Sequence, residues 1–370
     1  MLTANQLKEI REHLEKAGDP LFFFGNDADG LCSFLLLARA YGKGRGVAIK
    51  SFPELNVSYA RKLHELNPDY VFILDKPIVS EEFLQESRNL NIPVVWIDHH
   101  DVENPIQISD HPKNQKDFSD VENPVQTSNS EAKLSEEVYY YNTTKNEQKS
   151  FEPVTYLAWK IAGRKEDLWL AVCGCIGDNF MPEFANEFAR EFPDLLSSVK
   201  TAFEALYESD IGKITRIMNF ALKDRTSNVV KMMRLLLKVK NPAEILIDEP
   251  KNHLLFRFKQ VDKKYQQLIE KAVNFSKGKL VYFQYGGDLS LSADIANELY
   301  YKFPNKIIVV AYIKGTKTNI SIRGKNARDI TLKAIEGLDA SGGGHSEATG
   351  AKVNLEDLPK FKERIEKLVR

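Results

Sequence analysis

Cysteine is scarce: Cys32, Cys173 and Cys175 are the only three in 370 residues. They are too few and too badly spaced for a disulfide framework or a four-thiolate zinc site, and their odd number fits a reducing cytoplasm. Cys173 and Cys175 are separated by one glycine, not by the two residues of a redox pair. Long apolar runs are missing as well. Nothing approaches the roughly 20 residues of a membrane span, and the segment from Met1 to Ile10 is charged and amphipathic with no long apolar region behind it. There is almost no net charge, with 51 Lys and Arg against 52 Asp and Glu. A histone-like polycation is thereby excluded, and any nucleic-acid contact must come from a local basic groove. What is present, 43% hydrophobic and 10% aromatic residues, is enough to bury a core. At roughly 100 to 200 residues per domain it suggests two domains or a little more. The expectation is a soluble, cytoplasmic protein.

The apolar pattern alternates between two periods. Leu7, Ile10 and Leu14 share a helical face that stops at Gly18 and Pro20. Leu21 to Phe24 has strand length and breaks at Gly25-Asn26-Asp27-Ala28-Asp29-Gly30, after which Leu31 to Tyr41 reads as a buried helix. Tyr70 to Leu74 runs into Asp75, a helix carrying Glu81, Glu82 and Glu86 follows, and Val94 to Ile97 runs into Asp98-His99-His100. Such alternation implies an α/β fold with a parallel sheet, whose strand carboxyl ends form the ligand edge. Residues 103–150 turn polar and proline-bearing and read as an exposed insertion within a first domain, 1–188. Residues 189–275 read as a helical connector. Residues 276–370 read as a second, smaller α/β domain, with strands at 279–285, 306–313 and 317–323 and helices at 292–302 and 356–369.

Asp27, Asp29, Asp75, Asp98, His99 and His100 thus sit at successive strand ends, and Asp178 closes a later helix at Gly177-Asp178-Asn179. For any one of them an N-cap or turn role is the commoner reading. Their joint placement points elsewhere, because unpaired carboxylates on one edge repel unless a cation lies between them. Carboxylate with imidazole and no thiolate suits Mn²⁺ or Mg²⁺. Cys32 follows the first acidic turn but lies on an apolar helix, where a core role is the commoner one.

This series of motifs resembles the DHH phosphoesterases. Asp27-Ala28-Asp29-Gly30 is similar to that family's first motif, Asp75 to its second, Asp98-His99-His100 to its third and Asp178 to its fourth. Gly342-Gly343-Gly344-His345 resembles the signature of the DHH-associated domain. The resemblance implies two Mn²⁺ ions, with Mg²⁺ as the substitute: Asp27 and Asp75 on one, and Asp29, Asp75, His99 and Asp178 on the other. It further implies that His100 faces the scissile phosphate and that Asp98 orients the histidines. Two adjacent divalent cations activate water without a side-chain nucleophile. Gly342, Gly343, Gly344, His345 and Arg323 are implied as the phosphate grip.

One position departs from the family. The pyrophosphatase and short-oligonucleotide branches carry a histidine a few residues before the first motif, where this chain has Phe22-Phe23-Phe24-Gly25-Asn26. That favours the RecJ-like exonuclease branch, as does the long connector, which is similar to that of archaeal members. The expected activity is hydrolysis of single-stranded DNA or RNA, with a replication or repair protein as a further partner. The alternatives are a phosphodiesterase for short oligonucleotides or cyclic dinucleotides, and an inactive replication or repair scaffold.

Overall fold

The computed structural model describes residues 1–51, 53–107, 132–135, 138–197, 200–249 and 252–369. It divides into two compact units, Met1–Leu246 and Ile247–Arg370.

The first unit opens with α1 (Ala4–Lys16), capped by Thr3 and Gln6 in a reciprocal capping box. Then come β1 (Pro20–Gly25), α2 (Ala28–Tyr41), β2 (Arg45–Ile49), β3 (Glu54–Leu55), α3 (Arg61–Leu66), β4 (Tyr70–Leu74), β5 (Ile78–Ser80) and α4 (Glu81–Asn89). They are followed by β6 (Val94–Asp98), β7 (Ile106–Gln107), β8 (Ala132–Ser135) and β9 (Val138–Asn142). The helices α5 (Val154–Ala162), α6 (Leu168–Gly177), α7 (Ala185–Glu191), α8 (Ala202–Glu208), α9 (Asp210–Leu222) and α10 (Thr226–Leu236) complete it. The main sheet has the order β2-β1-β4-β6-β9-β8. Its first five strands are parallel, and β8 joins antiparallel. A small parallel sheet is ordered β3-β5-β7.

Both faces of β1 are buried, which is why its sequence is an unbroken apolar run. Phe23 enters one core with Ile73, Phe83 and Trp96. Phe22 and Phe24 turn to the other face, where their rings lie 5.5 and 5.3 Å from Phe34 of α2. Each fully buried Phe contributes about 1.5 to 3 kcal/mol. The register of these buried strands fixes their ends. Phe24 lies opposite Leu74, Leu74 opposite Ile97, and Asp98 opposite Asn142. Gly25, Asp75, Asp98 and Asn142 are therefore neighbours along one carboxyl edge.

The reading of residues 103–150 as an exposed insertion needs correction at its end. Val138–Asn142 is a strand of the main sheet paired with β6, and Val138, Tyr140, Tyr141 and Asn142 are buried. Its three tyrosines pack as an apolar run despite their hydroxyls; Tyr140 lies 4.4 Å from Trp96. Residues 108–131 and 136–137 lie outside the described residues.

The second unit contains α11 (His253–Val273), β10 (Ser276–Lys277), β11 (Leu280–Gly286), α12 (Ser292–Lys302), β12 (Ile307–Lys314) and β13 (Lys317–Arg323). It continues with α13 (Ala327–Ile335), β14 (Ala340–Gly344), β15 (Ala348–Asn354) and α14 (Leu358–Leu368). The sheet order is β10-β11-β12-β13-β15-β14, with only the β11/β12 pair parallel. Phe361 and Ile365 of α14 bury against Val309, Ile320, Ile322 and Val353. The helical stretch expected at 189–275 is shared out, α8 to α10 falling in the first unit and α11 in the second. Among the described residues no helix is long and apolar enough to cross a membrane.

Candidate active site

The acidic turn after β1 has two jobs. Exposed Asp27 caps α2, its Oδ1 accepting the Gly30 amide at 3.0 Å. Asp29, 2% exposed, is held on the N-terminus of α5: its Oδ2 accepts the Val154 amide at 2.9 Å and its Oδ1 the Thr155 amide at 2.6 Å. A helix N-terminus is a favourable seat for a carboxylate. Gly25 has no room for a side chain, since a Cβ there would stand 2.3 Å from Asp75 Oδ2. Asp75 itself has φ +55°, a left-handed conformation that Asp tolerates better than most residues.

These acids converge on one imidazole. His99, 2% exposed, places Nε2 3.5 Å from Asp75 Oδ1, 3.8 Å from Asp178 Oδ2 and 3.9 Å from Asp29 Oδ2. The ligand atoms of Asp29, His99 and Asp178 all lie within 4.8 Å of one another. His100 lies beside them, its ring centroid 4.6 Å from that of His99. Asp98 is completely buried; its Oδ1 is 2.8 Å from His100 Nδ1 and its Oδ2 accepts the His100 amide at 3.1 Å.

The electrostatics follow from burial and crowding. Burial, aided by Asp178 and Asp27, pushes Asp29 up to about 7 against the pull of His99 and Thr155. Burial, with Asp27 and Asp29 beside it, raises Asp75 well above the carboxylate range. For His99 burial works the other way, yet Asp178, Asp75 and Asp29 together raise it well above the ordinary imidazole value. Asp98 is the exception. Burial alone would raise it, but the charge and hydrogen bonds of His100, with His99, keep it low. Two buried carboxylates, Asp29 and Asp75, and the exposed Asp178 thus share a single imidazole at 3.5 to 3.9 Å, within the span of two ligands on one ion. The donor set, all oxygen and nitrogen, fits a divalent cation of the Mn²⁺ or Mg²⁺ type.

The expected cysteine role holds: all three are buried, and burial pushes the Cys173 thiol up to about 12. Two site residues escaped the sequence reading. Buried Asn142 donates from Nδ2 to Asp98 Oδ2 at 3.2 Å and to the His100 carbonyl at 3.0 Å. Lys76, 3% exposed, donates to the Ser51 carbonyl at 3.0 Å; burial lowers its ammonium to about 8 against the opposing carboxylates of Asp75, Asp27 and Asp98. The position of Lys76 directly after Asp75 was the available signal.

In the second unit Arg323 ends β13. Its Nε donates to Asn297 Oδ1 at 2.6 Å, and one terminal nitrogen donates to the Thr349 carbonyl at 3.1 Å. Gly342, Gly343 and Gly344 belong to β14, the sheet's last strand, and His345 follows, its amide donating to the Ala348 carbonyl at 2.9 Å. The glycines form an edge strand, not the turn that glycine runs most often make. One side of it pairs with β15, and a Cβ on Gly343 would meet nothing within 4 Å.

A parallel sheet with acids and imidazoles at its strand ends, together with a separate mixed-sheet unit, is the architecture that the family comparisons match. The chain belongs to the DHH family, whose members are metal-dependent phosphoesterases: residues 23–158 match the DHH family N-terminal domain and residues 276–370 match the DHHA1 domain. Among solved structures, the chain is similar to RecJ from Thermus thermophilus in complex with Mn²⁺ (TM-score 0.64, 17% identity), covering 100% of this chain and 55% of that one. It is similar to exonuclease RecJ bound to manganese (TM-score 0.60, 17% identity), covering 100% and 95%. The DHH domain of a protein described as a member of a family of ribosomal proteins gives a TM-score of 0.63 at 16% identity, covering 99% and 89%. The chain thus spans just over half the length of the Thermus RecJ, and the likeness is one of fold. No curated protein matches it.

Proposed function

We propose that the protein is a divalent-metal-dependent phosphodiesterase that hydrolyses single-stranded DNA or RNA as a RecJ-like exonuclease. The convergence of Asp29, Asp75 and Asp178 on His99 Nε2 carries this reading. Asp29, Asp75, His99 and Asp178 would hold one cation, and Asp27 with Asp75 a second. Mn²⁺ is preferred over Mg²⁺, because imidazole in the donor set favours the softer ion. Such cations supply activation of water and neutralisation of charge at phosphorus. The backbone amides of Val154 and Thr155 fix the Asp29 carboxylate, and the absence of a side chain at Gly25 leaves the space that the Asp75 carboxylate occupies. Asp98 fixes the His100 ring through Nδ1, which makes Nε2 the nitrogen that donates to a phosphate oxygen when the ring is protonated. Arg323, the backbone of Gly342, Gly343 and Gly344, and His345 serve as the grip on a terminal phosphate. A replication or repair protein is the class of partner that this activity would serve.

Digestion of end-labelled single strands of several lengths with Mn²⁺ tests the reading. A polymer exonuclease shortens long strands stepwise and slows as salt rises, because several phosphate contacts are screened together. Rapid cleavage of di- to pentanucleotides with long strands left intact would instead identify a short-substrate phosphodiesterase. No hydrolysis of either would identify a scaffold.

A further inference from the structure

A buried hydrogen-bond network lies behind His100. Asn142 ends β9 directly opposite Asp98, the last residue of β6. It is 3% exposed, and Thr144 beyond it is 1% exposed. The two ends of the Asn142 amide have separate roles. Oδ1 accepts the Thr144 amide at 2.8 Å and the Thr144 hydroxyl at 2.7 Å, which caps the turn Thr143–Lys145. Two donors on Oδ1 settle which way the amide faces, so Nδ2 points to the other side. There its two hydrogens serve three acceptors: Asp98 Oδ2 at 3.2 Å, the His100 carbonyl at 3.0 Å and the Tyr140 hydroxyl at 2.7 Å. Asp98 Oδ2 also accepts the His100 amide, and Asp98 Oδ1 lies 2.8 Å from His100 Nδ1. The His100 backbone is thus held on both sides, its N–H by Asp98 and its carbonyl by Asn142 and, at 3.2 Å, the Val102 amide. The carboxylate that holds the ring is itself held by Asn142.

We propose that Asn142 is a positioning residue for His100: acting through Asp98 and the His100 carbonyl, it fixes the line along which Nε2 meets the scissile phosphate. This rests on the assignment of His100 to that phosphate. Capping alone does not account for the residue, since a cap needs only Oδ1, and serine or aspartate caps a turn as well as asparagine does. Asparagine adds an N–H₂ group on the far side of the acceptor, and here that donor spans from β9 to the end of β6. Removing it leaves the buried Asp98 carboxylate one donor short and loosens the His100 peptide on its carbonyl side.

Asn142→Ser separates the two roles, because a serine hydroxyl still caps the turn while the amide donor is withdrawn. Two measurements test the proposal. The first is NMR of the metal-free protein with nitrogen-labelled imidazoles, the His100 signals being assigned through His100→Ala. The Nδ1 proton of His100 should exchange slowly with solvent in wild type, and about tenfold faster or more in Asn142→Ser. The second is Mn²⁺-dependent hydrolysis of a dinucleotide. Asn142→Ser should lose roughly 10- to 100-fold in kcat, with KM and Mn²⁺ affinity within about threefold of wild type. That loss should vanish in a His100→Ala background, where no ring is left to aim. Unchanged Nδ1 exchange would overturn the proposal, as would a normal kcat in Asn142→Ser or a loss that persists in full beside His100→Ala. If Asn142→Ser does not melt cooperatively, Asn142→Asp, which also caps the turn and keeps the size of the side chain, replaces it with the same expectations. No hydrolysis by wild type, or none of it lost in His100→Ala, would be a different failure, that of the reading of the site; the Nδ1 exchange would then decide by itself whether Asn142 holds the ring.

Discussion

Asp98 holds His100 at two points, its Oδ1 2.8 Å from the ring Nδ1 and its Oδ2 accepting the backbone amide at 3.1 Å. The carboxylate is completely buried and still ionised, because the imidazole beside it outweighs the cost of burial. With Nδ1 committed to Asp98, chemistry at His100 falls to Nε2. Asp98→Asn keeps the shape and removes the charge. Turnover should fall by roughly 10- to 100-fold, as for other groups that orient a site from behind, with KM for a dinucleotide little changed. Steady-state kinetics check this, and equal losses in both constants would argue for a collapse of the site.

Gly25 and Asp75 are coupled by close approach. A Cβ at Gly25 would press on Asp75 Oδ2 at 2.3 Å and on the Asp75 carbonyl at 2.7 Å. Gly25→Ala should displace the carboxylate. Mn²⁺ affinity is expected to fall by about tenfold or more while helix content is unchanged. Calorimetric titration beside far-ultraviolet circular dichroism gives both readouts.

Stability of the metal-free protein should depend on pH in a definite direction. Asp29 is raised in the folded protein to about 7. The stability its protonation contributes is fully present below its unfolded pKa, near 4, and is lost as pH rises through 7. His99, raised for its own reasons, acts in the same sense at higher pH. The lowered Asp98 acts only below about 4. Tm of EDTA-treated protein should therefore fall between pH 5 and pH 8. Saturating Mn²⁺ should remove most of that fall, and Mn²⁺ affinity below pH 7 should weaken by about tenfold per pH unit for each proton displaced. A metal-free Tm that rises over this range would contradict the assignment of Asp29.

Arg323 and Asn297 make a third testable pair. Arg323→Ala should weaken substrate by roughly 10- to 100-fold through the loss of charge-assisted bonds worth about 1.5 to 3 kcal/mol. Asn297→Ala, which releases the Nε that Asn297 holds at 2.6 Å, should weaken it less. Mn²⁺ titrations of both variants should match wild type.

Much of this site was legible in the sequence because strand ends in a parallel sheet are fixed by buried runs. Phe22 to Phe24, Tyr70 to Leu74 and Val94 to Ile97 set three ends, and the acids after them had to share an edge. Asn142 was not legible. It ends a run of three tyrosines whose burial depends on pairing with β6 and on Trp96, relations that no local pattern encodes. Lys76 was passed over because a lysine after a strand is most often solvated, and its burial comes from the ends of β1 and β2. In the second unit the Gly342 to Gly344 run is an edge strand because Ala348–Asn354 pairs with it, and glycine composition alone favours a turn.

Asp75 is the residue on which the account turns, since it would bridge both cations and lies 3.5 Å from His99. Asp75→Asn is the cleanest variant, because Asn accepts the φ of +55° found there and fills the same space. The decisive measurement is Mn²⁺-dependent hydrolysis of a labelled single strand by this variant beside wild type, with both shown to melt cooperatively. Wild type should release nucleotides and stop when EDTA is added, and Asp75→Asn should lose at least a thousandfold in rate, the fall of about 4 kcal/mol expected when the shared ligand loses its charge. Near-normal turnover by Asp75→Asn, or full wild-type activity after exhaustive chelation, would contradict the metal-based mechanism.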